Sequence, residues 1–591
     1  MEEKKLTGYP RIDNPQNIGK SFFKSNPILP NTNVYTSLKI LSSFYKNKTA
    51  IECHNLKANY KKLLDDAVII SLALKELGIK QGDIVTVSMP NFYQAVAIFF
   101  ACNRIGAITT FLNSFATKSE INSYLNLFES PIFINFDKTF EENVGIKRST
   151  KVKNIITLRK NKINESNLYE AVDIIKDDIT IDYNSLGTLS KYQRRKFEKH
   201  HGIKEDSLIL FTSGTTGKPK SVVLTNENII AAGTYLKNSS NIKQVKEEKT
   251  LVCVPFAYPY GFATSTLMSL LSGKTAILAP YISSEMLSYY LKFEPNLIFG
   301  SPALLDLVMK NVADSQDLSY IKTFISGGDF LTPSAHSRGI NFFEKHGAKV
   351  ELGNGSGNAE TVSCGTNPVG IKVKPETAGK VLTGTTAMIV DPETLEEKKY
   401  GEEGLLCVSG KHVFKEYYNE PELTESVKFE HNGKTYFKTG TLGSIDKEGY
   451  FTITGRESRF YIMSTLNKVY CDQVQNIISL FDCVRDCAVV QVPDEKLLFV
   501  NKAYIVLNSG YYFDGIADYI KDLCMKPITM EDSKVRQLKD YEIPAYLEFV
   551  QELPRKHGTD KIDYKLLEQD AEKKVADLQE QKVFTYKINN I

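Results

Sequence analysis

The 591-residue sequence has no long apolar run, no large excess of charge of one sign and no regular spacing of cysteines. Strongly apolar stretches such as Ala95 to Cys102 are far shorter than the roughly 20 residues that span a bilayer. The first residues, MEEKKLTGYPRID, lack the apolar segment of a secretory signal. The sequence therefore predicts a protein without a membrane span, and we expect a cytoplasmic location.

The charge balance and the cysteine spacing argue against nucleic-acid or membrane binding and against a disulfide framework or zinc site. Lysine and arginine number 73 against 70 aspartates and glutamates, and this balance indicates neither nucleic acid nor an anionic membrane as partner. The nine cysteines form an odd set without framework spacing, so we expect reduced thiols. Cys483 and Cys487 lie four apart, but no second pair at ligand spacing accompanies them, and zinc requires four ligands. Buried structural thiols are therefore expected.

What the sequence does contain is an alternation of helical and strand patterns. Apolar residues recur every three or four positions from Leu63 to Leu77, and Gly78 ends that helix. Ile84 to Ser88 is a predicted strand, followed by an apolar helix and by a second strand at Thr109 to Leu112. This alternation predicts an α/β fold with mixed β-sheets flanked by helices.

Changes of pattern divide the chain into parts. Residues 140–205 are polar and rich in charge, and we expect them to form an excursion on the surface. Clear alternation resumes at Leu208 and continues to about residue 455. We therefore predict a large N-terminal domain at residues 1–454, a small α+β domain at 455–570 and an exposed charged tail at 571–591.

The stretch LILFTSGTTGKPKSVVL, residues 208–224, places a glycine-rich loop between two apolar strands. Its glycines let backbone N–H groups approach an anion, while hydroxyls add donors and two lysines add positive charge. The spacing differs from that of a Walker loop. These features predict binding of a polyphosphate by Thr212, Ser213, Gly214, Thr215, Thr216, Gly217, Lys218 and Lys220.

The motif TSGTTGKPK, followed by LTNENI, resembles the signature of the ANL superfamily of adenylate-forming enzymes. Four later stretches resemble segments of that family in the same order. The resemblance covers most of the chain, from about Tyr60 to Lys565. The four stretches are SGG at Ser326 to Gly328, NGSGNAE at Asn354 to Glu360, YFKTGTLGSIDKEGYFTITGR at Tyr436 to Arg456, and PRKHGTDKID at Pro554 to Asp563.

Enzymes of this family join a carboxylate to AMP, release pyrophosphate and pass the acyl group to a thiol. The resemblance implies ATP and Mg²⁺ as cofactors, with CoA or the phosphopantetheine of a carrier protein as acceptor. Glu360 would help to hold Mg²⁺, and Lys561 would bridge the substrate carboxylate and the α-phosphate. Besides the phosphate loop, the nucleotide would contact Gly328, Asn354, Gly355, Ser356, Thr441 and Arg456.

The stretch PFAYPYGF, Pro255 to Phe262, corresponds in this resemblance to the wall of the acyl pocket. It implies that Tyr258, Tyr260 and Gly261 contact the acid. No aspartate is present there to pair with an α-ammonium group, which disfavours an amino acid. An aliphatic or aromatic acid is predicted, and the choice between CoA and a carrier protein stays open.

Three positions that contact the nucleotide in the family depart from its pattern. Ser356 stands where an aromatic ring stacks on adenine, Ala359 where a threonine binds a phosphate, and Thr441 where an aspartate accepts both ribose hydroxyls. Losing charge-assisted bonds of this kind costs about 1.5–3 kcal/mol each. The alternative function is therefore a homologue of impaired catalysis that serves as a binding or scaffold protein.

Overall fold

The computed structural model describes residues 6–17, 25, 27–159, 171–176, 179–182, 202–212, 219–239, 248–465, 467–494, 496–529, 535–556 and 561–581. Helices and strands alternate through most of these residues, which confirms the predicted α/β fold. A π-helix occupies Tyr260–Leu267. The α-helices are Pro10–Asp13, Val34–Ser42, Tyr60–Glu76, Tyr93–Ile105, Lys118–Leu127, Phe140–Ser149, Asn226–Ser239, Met268–Leu271, Ser284–Leu291, Pro302–Asn311, Pro333–Lys345, Pro421–Ser426, Cys471–Ile478, Ile516–Cys524 and Tyr564–Gln581.

Helix Tyr60–Glu76 shows how the predicted periodicity becomes structure. The Asn59 side chain caps the helix by accepting a hydrogen bond from the backbone N–H of Lys62. The apolar residues of the periodic pattern are buried on one face. Just beyond the helix, Gly78 has a φ of +87°, a left-handed conformation that glycine adopts without steric cost.

A seven-stranded, mostly parallel sheet forms one half of the large domain. Gly300, Ser326 and Asn354 lie in register at the carboxyl ends of three neighbouring parallel strands. Ligands commonly bind beyond such strand ends. The strands, in spatial order, are Glu351–Asn354, Thr323–Ser326, Leu297–Gly300, Lys249–Val252, Thr275–Leu278, Thr49–Cys53 and Leu56–Asn59.

A nine-stranded sheet forms the other half. Ser221 pairs with Phe211 in an antiparallel hairpin, so the predicted phosphate loop does connect two buried strands. The strands, in spatial order, are Glu416–Tyr417, Ser221–Thr225, Asp206–Phe211, Ile108–Leu112, Ile84–Ser88, Ile132–Phe136, Asn154–Arg159, Ala171–Lys176 and Ile179–Asp182.

The prediction of a surface excursion at residues 140–205 was wrong for its first part. Helix Phe140–Ser149 and strand Asn154–Arg159 belong to the nine-stranded layer, and Ile155, Ile156 and Leu158 are buried. The strand was missed because its buried residues are flanked by basic and polar ones, which dilute the apolar signal.

A third, antiparallel sheet completes the large domain. It consists of strands Thr386–Val390, Gly404–Ser409, Lys434–Ile445 and Lys428–His431, and strand Phe451–Arg456 also pairs with Lys434–Ile445. Arg456 therefore ends a strand that is fixed to the large domain. A short two-stranded sheet, Thr366–Asn367 with Lys380–Val381, lies beside it.

The residues after Arg456 fold around cores of their own. One core gathers residues such as Val474, Cys487 and Ile505, and a second lies under helix Tyr564–Gln581. These separate cores support the proposal of a domain boundary at residue 455. The strands of this part are Phe460–Ile462, Lys468–Tyr470, Val484–Asp494, Leu498–Leu507, Ile528–Thr529, Val535–Arg536 and Tyr546–Phe549.

The start of the predicted exposed tail, at residue 571, falls inside helix Tyr564–Gln581. Ala571 is fully buried, and Lys574 forms an ion pair with Glu548 at 2.5 Å. Ala571 and Lys574 are therefore part of the packed small domain. Residues 582–591 lie outside the described residues.

All nine cysteines are described, and each is a free thiol; eight of them, including Cys483 and Cys487, are buried. This confirms the expectation of buried structural thiols. Within the described ranges, no helix combines the length and the apolar character needed to cross a membrane.

Candidate active site

A cavity of about 560 Å³ lies where the sheets of the large domain meet the small domain. Gly300 and Ser326 line it from the carboxyl ends of two parallel strands, and Thr439 lines it from the third sheet. Ten of the predicted site residues share this cavity. They are Thr212, Lys220, Tyr258, Tyr260, Gly328, Gly355, Ser356, Glu360, Arg456 and Lys561.

Three described residues of the predicted site do not line the cavity. Gly261 packs against backbone, because a Cβ atom there would lie 2.2 Å from the carbonyl oxygen of Val254. Asn354 is buried at a strand end, and Thr441 is buried with its N–H donating to the Thr439 hydroxyl at 3.1 Å. Outside the described residues lie Ser213, Gly214, Thr215, Thr216, Gly217 and Lys218.

Glu360 is a buried carboxylate in the cavity wall. Its Oε1 accepts a hydrogen bond of 2.6 Å from the hydroxyl of Tyr417. Burial raises the pKa of Glu360, and the hydrogen bond from Tyr417 is the strongest influence that opposes the rise. The positive charges of Lys220 and Arg456 also oppose it. Burial outweighs these opposing influences, so the pKa of Glu360 lies above the ordinary value of a glutamate.

Tyr417 contacts both the carboxylate and the phosphate loop. The Lys220 ammonium lies 5.1 Å from the centroid of the Tyr417 ring, within the range of a cation–π interaction. Sequence reasoning missed this residue because no local motif marks it. It lies 57 residues beyond Glu360, on an edge strand that reaches the site only by pairing with Ser221–Thr225.

Lys561 reaches into the cavity from the small domain. Its Cε atom lies 3.7 Å from the position that a Cβ on Gly328 would occupy. Burial lowers the pKa of Lys561 to about 8, and the positive charge of Arg456 contributes to this lowering, whereas the carboxylate of Asp329 opposes it. The structure thus brings together Gly328, Arg456 and Lys561 from three distant motifs.

Asp329 is a second residue that sequence reasoning missed. It directly follows the SGG stretch at Ser326 to Gly328, so its position next to a recognised motif was an available signal. Its negative charge also contributes to raising the pKa values of Asp472 and Tyr564, which both belong to the small domain. Asp329 therefore lies close enough to the small domain for its charge to act on groups there.

The loop at residues 355–358 is held by backbone hydrogen bonds. The N–H of Ser356 donates to the Thr366 hydroxyl at 2.9 Å, and the Ser356 carbonyl accepts from Gly365 at 2.9 Å. Gly357 lies so close to Ser363 that an added Cβ would come within 2.4 Å of its backbone. The path of this loop therefore depends on glycine and leaves Ser356 facing the cavity.

The part of the wall contributed by residues 236–325 carries no charged side chain among the described lining residues. Tyr260 is fixed there, because its hydroxyl donates to the carbonyl oxygens of Ile325 at 2.8 Å and Gly300 at 3.2 Å. The hydroxyl of Tyr258 is hydrogen-bonded to Asn113, and burial raises its pKa, so it stays neutral. Phe299 and Leu304 complete an apolar wall.

Comparison with known proteins finds the same family that the sequence motifs resemble. The profile of a family described as AMP-binding enzyme matches residues 42–418. The long-chain-fatty-acid–CoA ligase of Bacillus subtilis strain 168 is 28% identical over 564 residues, covering 92% of this chain and 96% of the relative. The 4-coumarate–CoA ligase 3 of Arabidopsis thaliana is 24% identical over 452 residues, covering 75% of this chain and 76% of the relative.

Two solved structures share the fold. ATP-bound MatB from Rhodopseudomonas palustris has a TM-score of 0.75 at 23% identity, covering 92% of this chain and 99% of the other. The anthranilate CoA ligase AuaEII in complex with anthranoyl-AMP has a TM-score of 0.77 at 20% identity, covering 93% and 99%. The family match spans more than half of the chain, and the motifs that it shares converge on one cavity. The chain therefore belongs to the AMP-binding enzymes of the ANL superfamily and is an adenylate-forming ligase.

Proposed function

We propose that the chain activates an aliphatic or aromatic carboxylic acid with ATP and passes it to a thiol. The acid would become an acyl adenylate with release of pyrophosphate, and the acceptor would be CoA or the phosphopantetheine of a carrier protein. One observation carries the proposal: Lys561, Arg456 and Glu360 line a single cavity with Lys220 of the phosphate loop.

The adenylation step needs charge neutralisation more than proton transfer. A carboxylate attacks the α-phosphate, so negative charge accumulates where two anions meet. Lys561 would contact the carboxylate and the α-phosphate, while Lys220 and the N–H groups of its loop would hold the leaving pyrophosphate. Arg456 would bind the ribose or a phosphate. Burial affects Lys561 most among these cations, and a charge in such a site interacts with phosphate more strongly than in water.

Magnesium would be held by few protein ligands. In the described residues, no cluster of three or more His, Cys, Asp or Glu side chains could hold a metal ion. A single carboxylate fits this cofactor, since Mg²⁺ commonly binds one or two carboxylates together with substrate phosphates. Glu360 is the buried carboxylate beside Lys220 and would provide that ligand. When bound, Mg²⁺ neutralises phosphate charge.

The wall near Tyr258 and Tyr260 supports the choice of acid. Its described residues carry no charge that would pair with an ammonium group or a second carboxylate. Phe299 and Leu304 would instead contact an apolar tail or ring. The acceptor is proposed on different grounds, because the relatives are CoA ligases by name.

The proposal is tested by measuring pyrophosphate release with ATP and a panel of acids, from acetate to hexadecanoate and including benzoate and 4-coumarate. Product trapping with CoA and with a holo-carrier protein then identifies the acceptor. We expect release with at least one apolar acid. ATP binding without pyrophosphate release from any acid would favour the impaired binding protein instead.

Replacing Lys220 by alanine is expected to raise the KM for ATP about tenfold, the equivalent of about 1.4 kcal/mol. The substitution removes a cation beside the polyphosphate and its contact with the Tyr417 ring. Initial rates at varied ATP measure the effect. Lys349→Ala, at an exposed position away from the cavity, is the control and should match the wild type. An unchanged KM in Lys220→Ala would refute the assignment of the loop.

Replacing Tyr417 by phenylalanine is expected to move the acidic limb of the kcat/KM profile to higher pH. The ring next to Lys220 remains, but the hydroxyl that lowers the pKa of Glu360 is lost. A higher pKa keeps more of the carboxylate protonated, and a pKa that rises by one lowers the rate on that limb about tenfold. Rates between pH 5 and 8 measure the limb, and a limb that does not move would contradict a role for ionised Glu360.

A further inference from the structure

The first turn of helix Cys471–Ile478 carries a carboxylate that contacts the strand leading out of the large domain. Oδ2 of Asp472 accepts a hydrogen bond of 3.0 Å from the backbone N–H of Arg456. Arg456 ends the strand Phe451–Arg456, which pairs with the third sheet. The bond therefore joins the small domain to the last residue that is fixed to the large domain.

The other oxygen of Asp472 faces the small domain. Oδ1 forms an ion pair with the guanidinium of Arg459, and both side chains are only 14% exposed. The Arg459 guanidinium lies 3.5 Å from the centroid of the Tyr564 ring. Tyr564 follows Lys561 by three residues. One carboxylate is thus connected to the Arg456 backbone on one side and to the segment that carries Lys561 on the other.

A second bond crosses the same junction. The Gln473 amide donates to Oε1 of Glu403, and the Thr454 hydroxyl donates to the same oxygen at 2.8 Å. Glu403 and Thr454 belong to the large domain, whereas Gln473 is the neighbour of Asp472. Two consecutive residues of one helix turn therefore hold the small domain against the strand that ends at Arg456.

These bonds depend on the orientation of the small domain. Lys561 lies in the small domain and Arg456 ends a strand of the large domain, so the two share the cavity only in this orientation of the small domain. Thioester formation, as proposed, would need another orientation, because a bulky thiol must enter the covered cavity. A rotation about residues 457–458 would break the bonds to Arg456 and Glu403. The contacts of Asp472 with Arg459, and of Arg459 with Tyr564, would survive, because they lie within the small domain.

We propose that Asp472 is a positioning residue for adenylation, which holds the small domain where Lys561 and Arg456 face the same substrate atoms. It touches no substrate and acts through the Arg456 backbone and through Arg459 stacked on Tyr564. The inference rests on the proposed function, since it assigns Asp472 to the first of two half-reactions. Burial of an ion pair costs desolvation energy, and a positioning role explains its retention.

The test separates the two half-reactions in Asp472→Asn. Adenylation is measured as pyrophosphate release with ATP and dodecanoate or benzoate, and thioester formation as the reaction of synthetic dodecanoyl-AMP or benzoyl-AMP with CoA. We expect adenylation to fall at least tenfold and thioester formation to stay within twofold. Asp518→Asn is the matched control, because Asp518 is exposed in the first turn of helix Ile516–Cys524 and should leave both rates unchanged.

A second variant controls for the positive charge of Arg459, which Asp472→Asn deprives of its carboxylate partner. Asp472→Ala combined with Arg459→Met removes both charges and retains an apolar stem beside Tyr564. We expect the same selective loss of adenylation in this folded double variant. Recovery of adenylation would show that the single variant suffers from the orphaned Arg459, and it would overturn the positioning role. An equal loss of both half-reactions would overturn it as well.

Two further measurements need no turnover. With ATP alone, hydrogen exchange at the Arg456 amide and acetylation of Lys561 by an amine reagent are followed by mass spectrometry. Both are expected to be at least fivefold faster in the double variant than in the wild type. Unchanged protection would overturn the inference. If the wild type activates no acid, the proposed function fails. The acetylation rate of Lys561 still decides whether Asp472 holds the small domain in place, whereas exchange at the Arg456 amide reports the lost bond itself.

Discussion

Replacing Lys561 by alanine is expected to lower the rate of adenylate formation about 100- to 1000-fold, the range found when one preorganised charge-stabilising donor is removed. Lys561 lies inside the cavity beside Gly328 and Arg456, where it would meet both the carboxylate and the α-phosphate. Transfer of the acyl group from a synthetic adenylate to CoA should remain largely intact, because the charge that Lys561 stabilises develops only in the first step.

The protonation state of Lys561 gives a second, independent measurement. Burial and Arg456 lower its pKa to about 8, so the cation is present below this pH and is lost above it. The value of kcat/KM for ATP should therefore fall about tenfold per pH unit above about pH 8. Lys561→Arg should abolish this alkaline limb, because a guanidinium stays charged at these pH values.

Lys556→Ala is the matched control for Lys561. The two lysines lie five residues apart in the chain, and the N–H of Lys556 donates to the Lys561 carbonyl at 2.7 Å. Lys556 is not among the described residues that line the cavity. Its truncation should leave pyrophosphate release near the wild-type rate. Wild-type release in Lys561→Ala would instead show that another cation stabilises the transition state, and Lys556 would then be the first candidate.

The sequence indicated the phosphate loop and the order of motifs because these signals are local. TSGTTGKPK lies between two strands, and the pairing of Phe211 with Ser221 shows that they form the expected hairpin. The position of Lys561 followed from a resemblance, since no local pattern distinguishes one lysine from the others in a lysine-rich chain. Only the folded structure shows that Lys561 and Gly328 lie next to each other.

Other parts of the site depend on tertiary contacts that no local pattern records. The hydrogen bond between Tyr417 and Glu360 forms because an edge strand pairs with Ser221–Thr225. The ion pair of Asp472 with Arg459 likewise joins helix Cys471–Ile478 to the segment that leads into the small domain after Arg456. Charged side chains are ordinarily exposed, and partners elsewhere in the fold explain why these are buried.

Gly261 illustrates how a motif residue can have a role other than substrate contact. The resemblance implied that it contacts the acid, but it does not line the cavity. A Cβ atom at Gly261 would lie 2.2 Å from the Val254 carbonyl oxygen and 2.5 Å from that of Pro255. Both contacts are backbone atoms, which cannot move aside as the end of a flexible side chain can.

Gly261→Ala is therefore expected to destabilise the large domain by about 3 kcal/mol or more, because overpacking against fixed backbone strains the fold. Thermal scans should show a Tm lower by about 3 °C or more. Gly233→Ala is the matched control, because Gly233 lies within helix Asn226–Ser239. A Cβ atom there would lie 3.7 Å from Met268 Cγ, an ordinary van der Waals contact. Alanine favours a helix over glycine by about 1 kcal/mol, so this control should be neutral or stabilising. If Gly261→Ala kept the wild-type Tm but changed the preferred acid, glycine would serve the acid pocket directly and the packing role would be refuted.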